Sequence, residues 1–283
     1  MVGSIIEANL LKKLDLAQHL NEFDDLNRTN PNMATHLYII TGASRGMGLC
    51  LARQLLGQSH RLLCISRTLS TDLTNTARQL DADLTQWSID LADPLPVTAR
   101  LGHWLAEQAP HDVTGATLIN NAGVIPPIAP LRDSDPAELA RALRVGLEAP
   151  LLLTNSFLAS TRHWTASRKV LNISSGLGRR PMASQSAYCA AKAGLDHFTR
   201  CLALDEALIP NGAKVCSLAP GVIDTGMQLQ LRSAAPERFP DQAGFADLKQ
   251  TNQLTPAHDA ATRVLDYLNR PDFGSQPVAD VRL

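Results

Sequence analysis

The chain has 283 residues, 45% hydrophobic and 19% charged, with a formal net charge of −1. That composition fits one globular domain with a large core, and it excludes a broad electrostatic pull toward nucleic acid or anionic membrane. No apolar run approaches the roughly 20 residues that span a bilayer, and the 5 scattered cysteines and 8 isolated histidines lack the spacing of a disulfide frame or a metal site, as in a reduced cytoplasmic protein.

Residues 1–32 carry a short amphipathic pattern (Leu10, Leu14, Ala17) followed by Asp24-Asp25 and Asn30-Pro31-Asn32, which read as linker. They are expected to form a flexible extension ahead of a single domain over 33–283. Leu37-Tyr38-Ile39-Ile40 is a short apolar run of strand character. It passes into Thr41-Gly42-Ala43-Ser44-Arg45-Gly46-Met47-Gly48 and then into a helical stretch from Leu49. Strand, glycine turn and helix in that order are the context of a dinucleotide site. Gly42 permits the tight turn, Gly46 lets backbone approach a pyrophosphate, and Gly48 lets helix and strand pack closely.

Further strands are predicted near 61–66, 84–90, 115–120, 168–174, 213–219 and 276–281. Helices are predicted at about 46–57, 72–81, 95–108, 135–163, 184–207 and 257–269. The helix at 135–163 should break at Pro150 or bend near Gly146. Alternating strands and helices predict a parallel sheet covered on both faces. The segment 222–256 has weak periodicity and is read as one long functional loop. The second strand ends His60-Arg61-Leu62-Leu63-Cys64-Ile65-Ser66-Arg67, with no acid to hold a ribose 2′-hydroxyl. Arg67, with Arg45 from the glycine turn, suits a 2′-phosphate instead, so NADP(H) is predicted over NAD(H).

Tyr188 and Lys192 stand four apart on a predicted helix, thirteen residues and more after Ser175. That spacing puts phenol and ammonium on one face, where the charge is expected to lower the phenol pKa toward neutrality and suit it to proton transfer.

Thr41-Gly42 to Gly48, then Asn120-Asn121-Ala122-Gly123, then Ser175, Tyr188 and Lys192, then Pro220-Gly221, in this order, resemble the short-chain dehydrogenase/reductase family over about residues 36–283. Asp224-Thr225-Gly226-Met227-Gln228, Leu248-Lys249 and Phe273-Gly274-Ser275 through Val281 are similar to its sepiapterin reductase and benzil reductase branch. The resemblance implies an α/β fold, a Rossmann-type doubly wound parallel sheet of about seven strands, with 222–256 as a lid over the substrate. It implies cofactor contacts from Gly42, Ser44, Arg45, Gly46, Met47, Gly48, Arg67, Asp90, Leu91, Asn120, Ala122, Gly123, Tyr188, Lys192, Pro220, Gly221, Ile223 and Thr225. Ser175 would polarise a carbonyl, Tyr188 would donate the proton, and Lys192 would hold the nicotinamide ribose and depress the phenol pKa. Substrate contacts are expected from Met182, Met227 and Asp280, the last aligning with the acid that anchors a pterin. The implied activity is NADPH-dependent reduction of a small ketone or vicinal dicarbonyl by a homodimer or homotetramer formed through 135–163 and 184–207. A 3-oxoacyl or general ketoreductase and a non-catalytic NADP-binding regulator are the alternatives. One departure stands out: Gly146 falls where many family members carry a catalytic Asn.

Overall fold

The computed structural model describes residues 35–57 and 59–282; the extension expected over 1–32 lies outside the described residues. Seven strands are present: β1 (Thr35–Thr41), β2 (His60–Ser66), β3 (Asp83–Ser88), β4 (Val113–Asn120), β5 (Ser167–Ile173), β6 (Lys214–Ala219) and β7 (Val278–Asp280). They form one parallel sheet in the order β3-β2-β1-β4-β5-β6-β7. Between them run α1 (Gly46–Leu55), α2 (Thr71–Leu80), α3 (Pro94–Ala106), α4 (Pro136–Leu143), α5 (Ala149–Thr161), α6 (Ser186–Ala207), α7 (Gly226–Arg232), α8 (Gln242–Gln250) and α9 (Ala257–Leu268).

The apolar run of β1 is continuous because both faces of the strand are covered. Tyr38 and Ile40 join one core with Leu51 and Leu55 of α1, Leu73 of α2 and Val264 of α9. Leu37 and Ile39 join the other with Val97 and Leu101 of α3, Phe157 of α5 and Leu202 of α6. The chain runs outward from β1 to β3, then returns to place β4 on the other side of β1. Strand order therefore reverses between β1 and β4, which leaves a crevice at their carboxyl ends.

The helix predicted over 135–163 does not break at Pro150: a π-helical turn around Gly146 carries the chain on into α5. Arg144–Glu148 forms a π-helical turn, in which the Ala149 N–H reaches back to the Arg144 carbonyl. Pro150 has no N–H, so the Gly146 carbonyl has no α-helical donor four residues on, and the wider turn absorbs the defect. A Cβ on Gly146 would stand 3.0 Å from Ala191 Cβ, so glycine lets this turn press against α6.

The long loop expected at 222–256 is instead partly helical, in α7 and α8. Between them Phe239 is fully buried and stacks on Phe245 with ring centroids 5.6 Å apart. Helices of seven and nine residues show too few turns for periodicity to register, and their stability comes from such tertiary contacts. Among the described residues no helix is long and apolar enough to cross a membrane.

Candidate active site

A cavity of about 840 Å³ opens at the carboxyl ends of the strands, across the β1–β4 crevice. The glycine turn lines it with Gly42, Ser44, Arg45, Gly46, Met47 and Gly48; the strand ends add Arg67, Asp90, Leu91, Ala122 and Gly123. Ser175, Tyr188 and Lys192 lie on the same wall system, with Pro220, Gly221, Ile223, Thr225 and Met227 closing it.

The glycine turn fits a dinucleotide. Gly42 and Gly46 have φ of +70° and +57°, which an L side chain rarely tolerates. A Cβ on Gly48 would lie 2.2 Å from the Gly42 carbonyl oxygen and 2.4 Å from Asn121 Nδ2, so no side chain fits at this position. No side chain caps the N-terminus of α1, which leaves its first N–H groups and positive dipole end available to a phosphate. Thr41 Oγ1 accepts from the backbone N–H groups of Asn121 and Ala122, both at 3.0 Å. Asn121 Nδ2 in turn donates to the Thr41 carbonyl at 2.9 Å.

Ser175, Tyr188 and Lys192 converge on the far side. Ser175 caps the 3-10 turn Gly176–Gly178, its Oγ accepting from Leu177 N–H at 3.2 Å, and its hydroxyl also contacts the Tyr188 phenol. Tyr188 and Lys192 are 9% and 4% exposed. The Lys192 ammonium lies 5.7 Å from the Tyr188 ring centroid and donates to the Ile173 carbonyl at 2.7 Å. Burial pushes the phenol up to about 12, with the Ser175 hydrogen bond pulling the other way. The expected lowering by Lys192 is therefore overturned: desolvation of the phenolate outweighs every opposing contact. The lysine itself is pushed down by burial to about 8, against the charge of Asp196. At neutral pH the phenol keeps its proton, the form required of a proton donor.

The family profile of short chain dehydrogenases matches residues 36–236. The chain belongs to the short-chain dehydrogenase/reductase family. It is 34% identical to a benzil reductase ((S)-benzoin forming) of Bacillus cereus over 235 residues, 83% of this chain and 94% of that one. It is 29% identical to the sepiapterin reductase of Xenopus laevis over 254 residues, 84% and 92% of the two chains. Among solved structures, a short-chain dehydrogenase/reductase from Burkholderia vietnamiensis is 34% identical, with a TM-score of 0.56 over 88% of this chain and 98% of that one. The KRED1-Pglu enzyme, at 24% identity, has a TM-score of 0.72 over 86% and 99%, a likeness of fold. The protein is thus an oxidoreductase, a carbonyl reductase of the branch that its C-terminal segment resembles.

Three residues expected at the site of this short-chain dehydrogenase/reductase do not line the cavity. Asn120 is 2% exposed and turned into the protein, donating to Thr154 Oγ1 at 3.1 Å and Asn172 Oδ1 at 2.9 Å. Asn121, its neighbour, takes the place at the cavity, since successive residues at a strand end face opposite ways. Asp280 gives both carboxylate oxygens to Arg282, at 2.8 Å and 2.6 Å, so no oxygen is left without a guanidinium partner for an amine, and Arg282 lines the cavity in its stead. Met182 is likewise absent from the lining, where Arg180 of the same loop is present. The sequence reading also missed Gln185 and Gln228. Both are buried wall residues whose amide groups have no partner among the described residues. The signal for Gln185 was its place one helical turn before Tyr188; Gln228 had none beyond its proximity to Met227.

Proposed function

We propose that this protein is an NADPH-dependent reductase of a small ketone or vicinal dicarbonyl, working as a cytoplasmic homo-oligomer. The observation that carries the reading is a buried phenol kept in its acid form beside the Ser175 hydroxyl, inside the cleft that the glycine turn opens. When bound, the reduced nicotinamide supplies the hydride. Ser175 orients the carbonyl oxygen by a hydrogen bond, and Tyr188 passes its hydroxyl proton to that oxygen as the alcohol forms. Lys192, poised near 8, holds a positive charge close to the phenolate left behind.

NADP(H) is favoured because Arg45 and Arg67 both line the cavity, and no ion pair with a carboxylate engages either among the described residues. Two guanidiniums without a protein partner suit a 2′-phosphate. The names of the relatives favour an aromatic dione or a pterin side chain as substrate. Leu143 of α4, Leu151 of α5 and Leu204 of α6 are exposed, which supports assembly through these helices.

The test is NADPH oxidation with benzil, sepiapterin, diacetyl and an acetoacetyl thioester, for wild type and Tyr188→Phe. Wild type should favour a dicarbonyl or pterin over the thioester. The variant should bind NADPH normally and lose about 10³-fold in kcat, within the range for general acid catalysis. A wild-type protein that binds NADPH and reduces nothing would sink the reading.

A further inference from the structure

The buried carboxylate of Asp196 is unassigned by the mechanism above. It sits on α6, one turn after Lys192, and is 1% exposed. Its Oδ1 accepts from Ser174 Oγ at 2.5 Å and from Ser217 Oγ of β6 at 2.7 Å. Its Oδ2 accepts from Arg179 Nε at 3.4 Å, and a Cβ on Gly178 would lie 2.9 Å from that oxygen. These contacts bracket Ser175. Ser174 precedes it and Gly178 and Arg179 close the 3-10 turn that it caps; Ser174 and Arg179 bond one carboxylate, and Gly178 leaves room for it. Arg179 extends the tie to β7 by donating to the Ala279 carbonyl at 2.8 Å.

We propose that Asp196 is the positioning residue of this active site, a single buried anion that fixes the Ser175 turn against the helix bearing Tyr188 and Lys192. A buried carboxylate with three donors is costly to desolvate, and its place here is explained by the groups it organises. The charged and titratable groups that face it are Arg179 from the turn, Lys192 from its own helix and Cys216 from β6; Tyr188 faces Lys192 in turn. Burial pushes the Cys216 thiol up to about 12, so it stays neutral and leaves the balance to the two cations. The carboxylate raises the lysine against burial, and Arg179 pairs with the carboxylate's other oxygen at 3.4 Å.

The proposal deepens the reductase reading but is tested first without turnover, by following the ¹³Cε signal of Lys192 against pH in the cofactor-free protein. Asp196→Asn keeps the shape and the acceptor for the two serines but removes the charge. Lys192 should then titrate about one pH unit lower than in wild type. Arg179→Gln should move it the opposite way, and this half-exposed residue can be replaced without burying a new group, so the test survives if Asp196→Asn fails to fold. In turnover, the alkaline limb of kcat should follow the same two shifts. Ser174→Ala should lower kcat with that limb unmoved. Coincident Lys192 titrations in wild type and Arg179→Gln would overturn the proposal, as would a folded Asp196→Asn with an unshifted lysine. An inactive wild type whose lysine titrates as described would overturn the reductase reading alone.

Discussion

The two walls of the cleft are built from different materials. The glycine-turn wall is built on main-chain groups, packed directly or tied by short buried side chains: Gly48 lies on the Gly42 carbonyl, Asn121 Nδ2 donates to the Thr41 carbonyl, and Thr41 Oγ1 accepts from two N–H groups at the β4 end. The lid wall, α7 and α8, is tied down by side chains at or near the surface. Asp224 takes Lys249 at 2.7 Å and Arg232 at 3.3 Å, Gln230 reaches the Pro126 carbonyl at 3.1 Å, and Ser184 reaches the Arg238 carbonyl at 2.6 Å. Main-chain groups packed this closely, with Thr41 and Asn121 tying them, fix a shape that suits a cofactor common to many enzymes. Side-chain ties can be exchanged without rebuilding the fold, and so suit the half that must distinguish one carbonyl compound from another.

The largest effect is expected where a side chain is forced into the backbone-built wall. Gly48→Ala would place a methyl 2.2 Å from a main-chain oxygen that cannot swing away. Overpacking of this kind costs about 3 kcal/mol, which in a domain of this size lowers Tm by roughly 10 °C. Thermal denaturation reads it directly, and a Tm within a degree or two of wild type would show that the turn can relax, erasing the contrast with the lid. Next comes Arg67, one of the two cavity arginines proposed to meet a 2′-phosphate. Arg67→Gln removes a charge-assisted contact of about 1.5–3 kcal/mol. The preference for NADPH over NADH in kcat/KM should fall by about 10- to 100-fold with Tm unchanged. An unaltered preference would move the specificity to Arg45.

The same contrast explains what could be read in the sequence. The glycine turn, the β1 apolar run and the Tyr188–Lys192 spacing were legible because local geometry imposes each of them, while Ser175, on a separate turn, came only from the family resemblance. Gly146 was legible as an irregular point in its helix, while the π turn and its neighbour were not: the contact with Ala191 depends on how α6 docks. The strand-end Asn120 misled because Asn120 and Asn121 are identical in type, and only pairing in the sheet decides which faces the cavity. Asp280 misled because its partner Arg282, two residues on, consumes it, a local pairing that alignment to an anchoring acid overlooks. The phenol pKa was misjudged because burial, which outweighed the charge of Lys192, is a property of the assembled cleft. Asp196 was invisible because the residues it gathers lie up to 22 positions away in the chain.

On the lid, loss of a tie should act on substrate and spare the fold. Lys249 first, then Arg232, hold the Asp224 carboxyl below the usual carboxylate range. A depressed carboxylate contributes order that is present above its unfolded pKa and lost as pH falls through the folded value, so the tie is intact at neutral pH and weakens in acid. Asp224→Asn should raise KM a few-fold at pH 7 with kcat and NADPH affinity retained, and the difference from wild type should shrink as the pH is lowered. A variant with unchanged KM would show that the remaining contacts, the Gln230 and Ser184 ties and the Phe239–Phe245 stack, suffice to hold α7 and α8.

The smallest effect is also the sharpest test, because its sign is opposite to that of Gly48→Ala. Gly244 is an exposed helical position in α8, and a Cβ there meets nothing within 4 Å. Its φ is not positive, so alanine is conformationally acceptable. Replacing glycine by alanine inside a helix stabilises by up to about 1 kcal/mol. Gly244→Ala should therefore raise Tm by roughly 2 °C, where the same exchange at Gly48 lowers it several times as much. Stiffening α8 should also leave cofactor affinity alone, since none of the dinucleotide contacts that the family resemblance implies lies on α8. Were Gly244→Ala to destabilise the protein as Gly48→Ala does, the lid would be as tightly interlocked as the glycine turn, and side-chain exchange on it could no longer be the route by which this fold changes substrate.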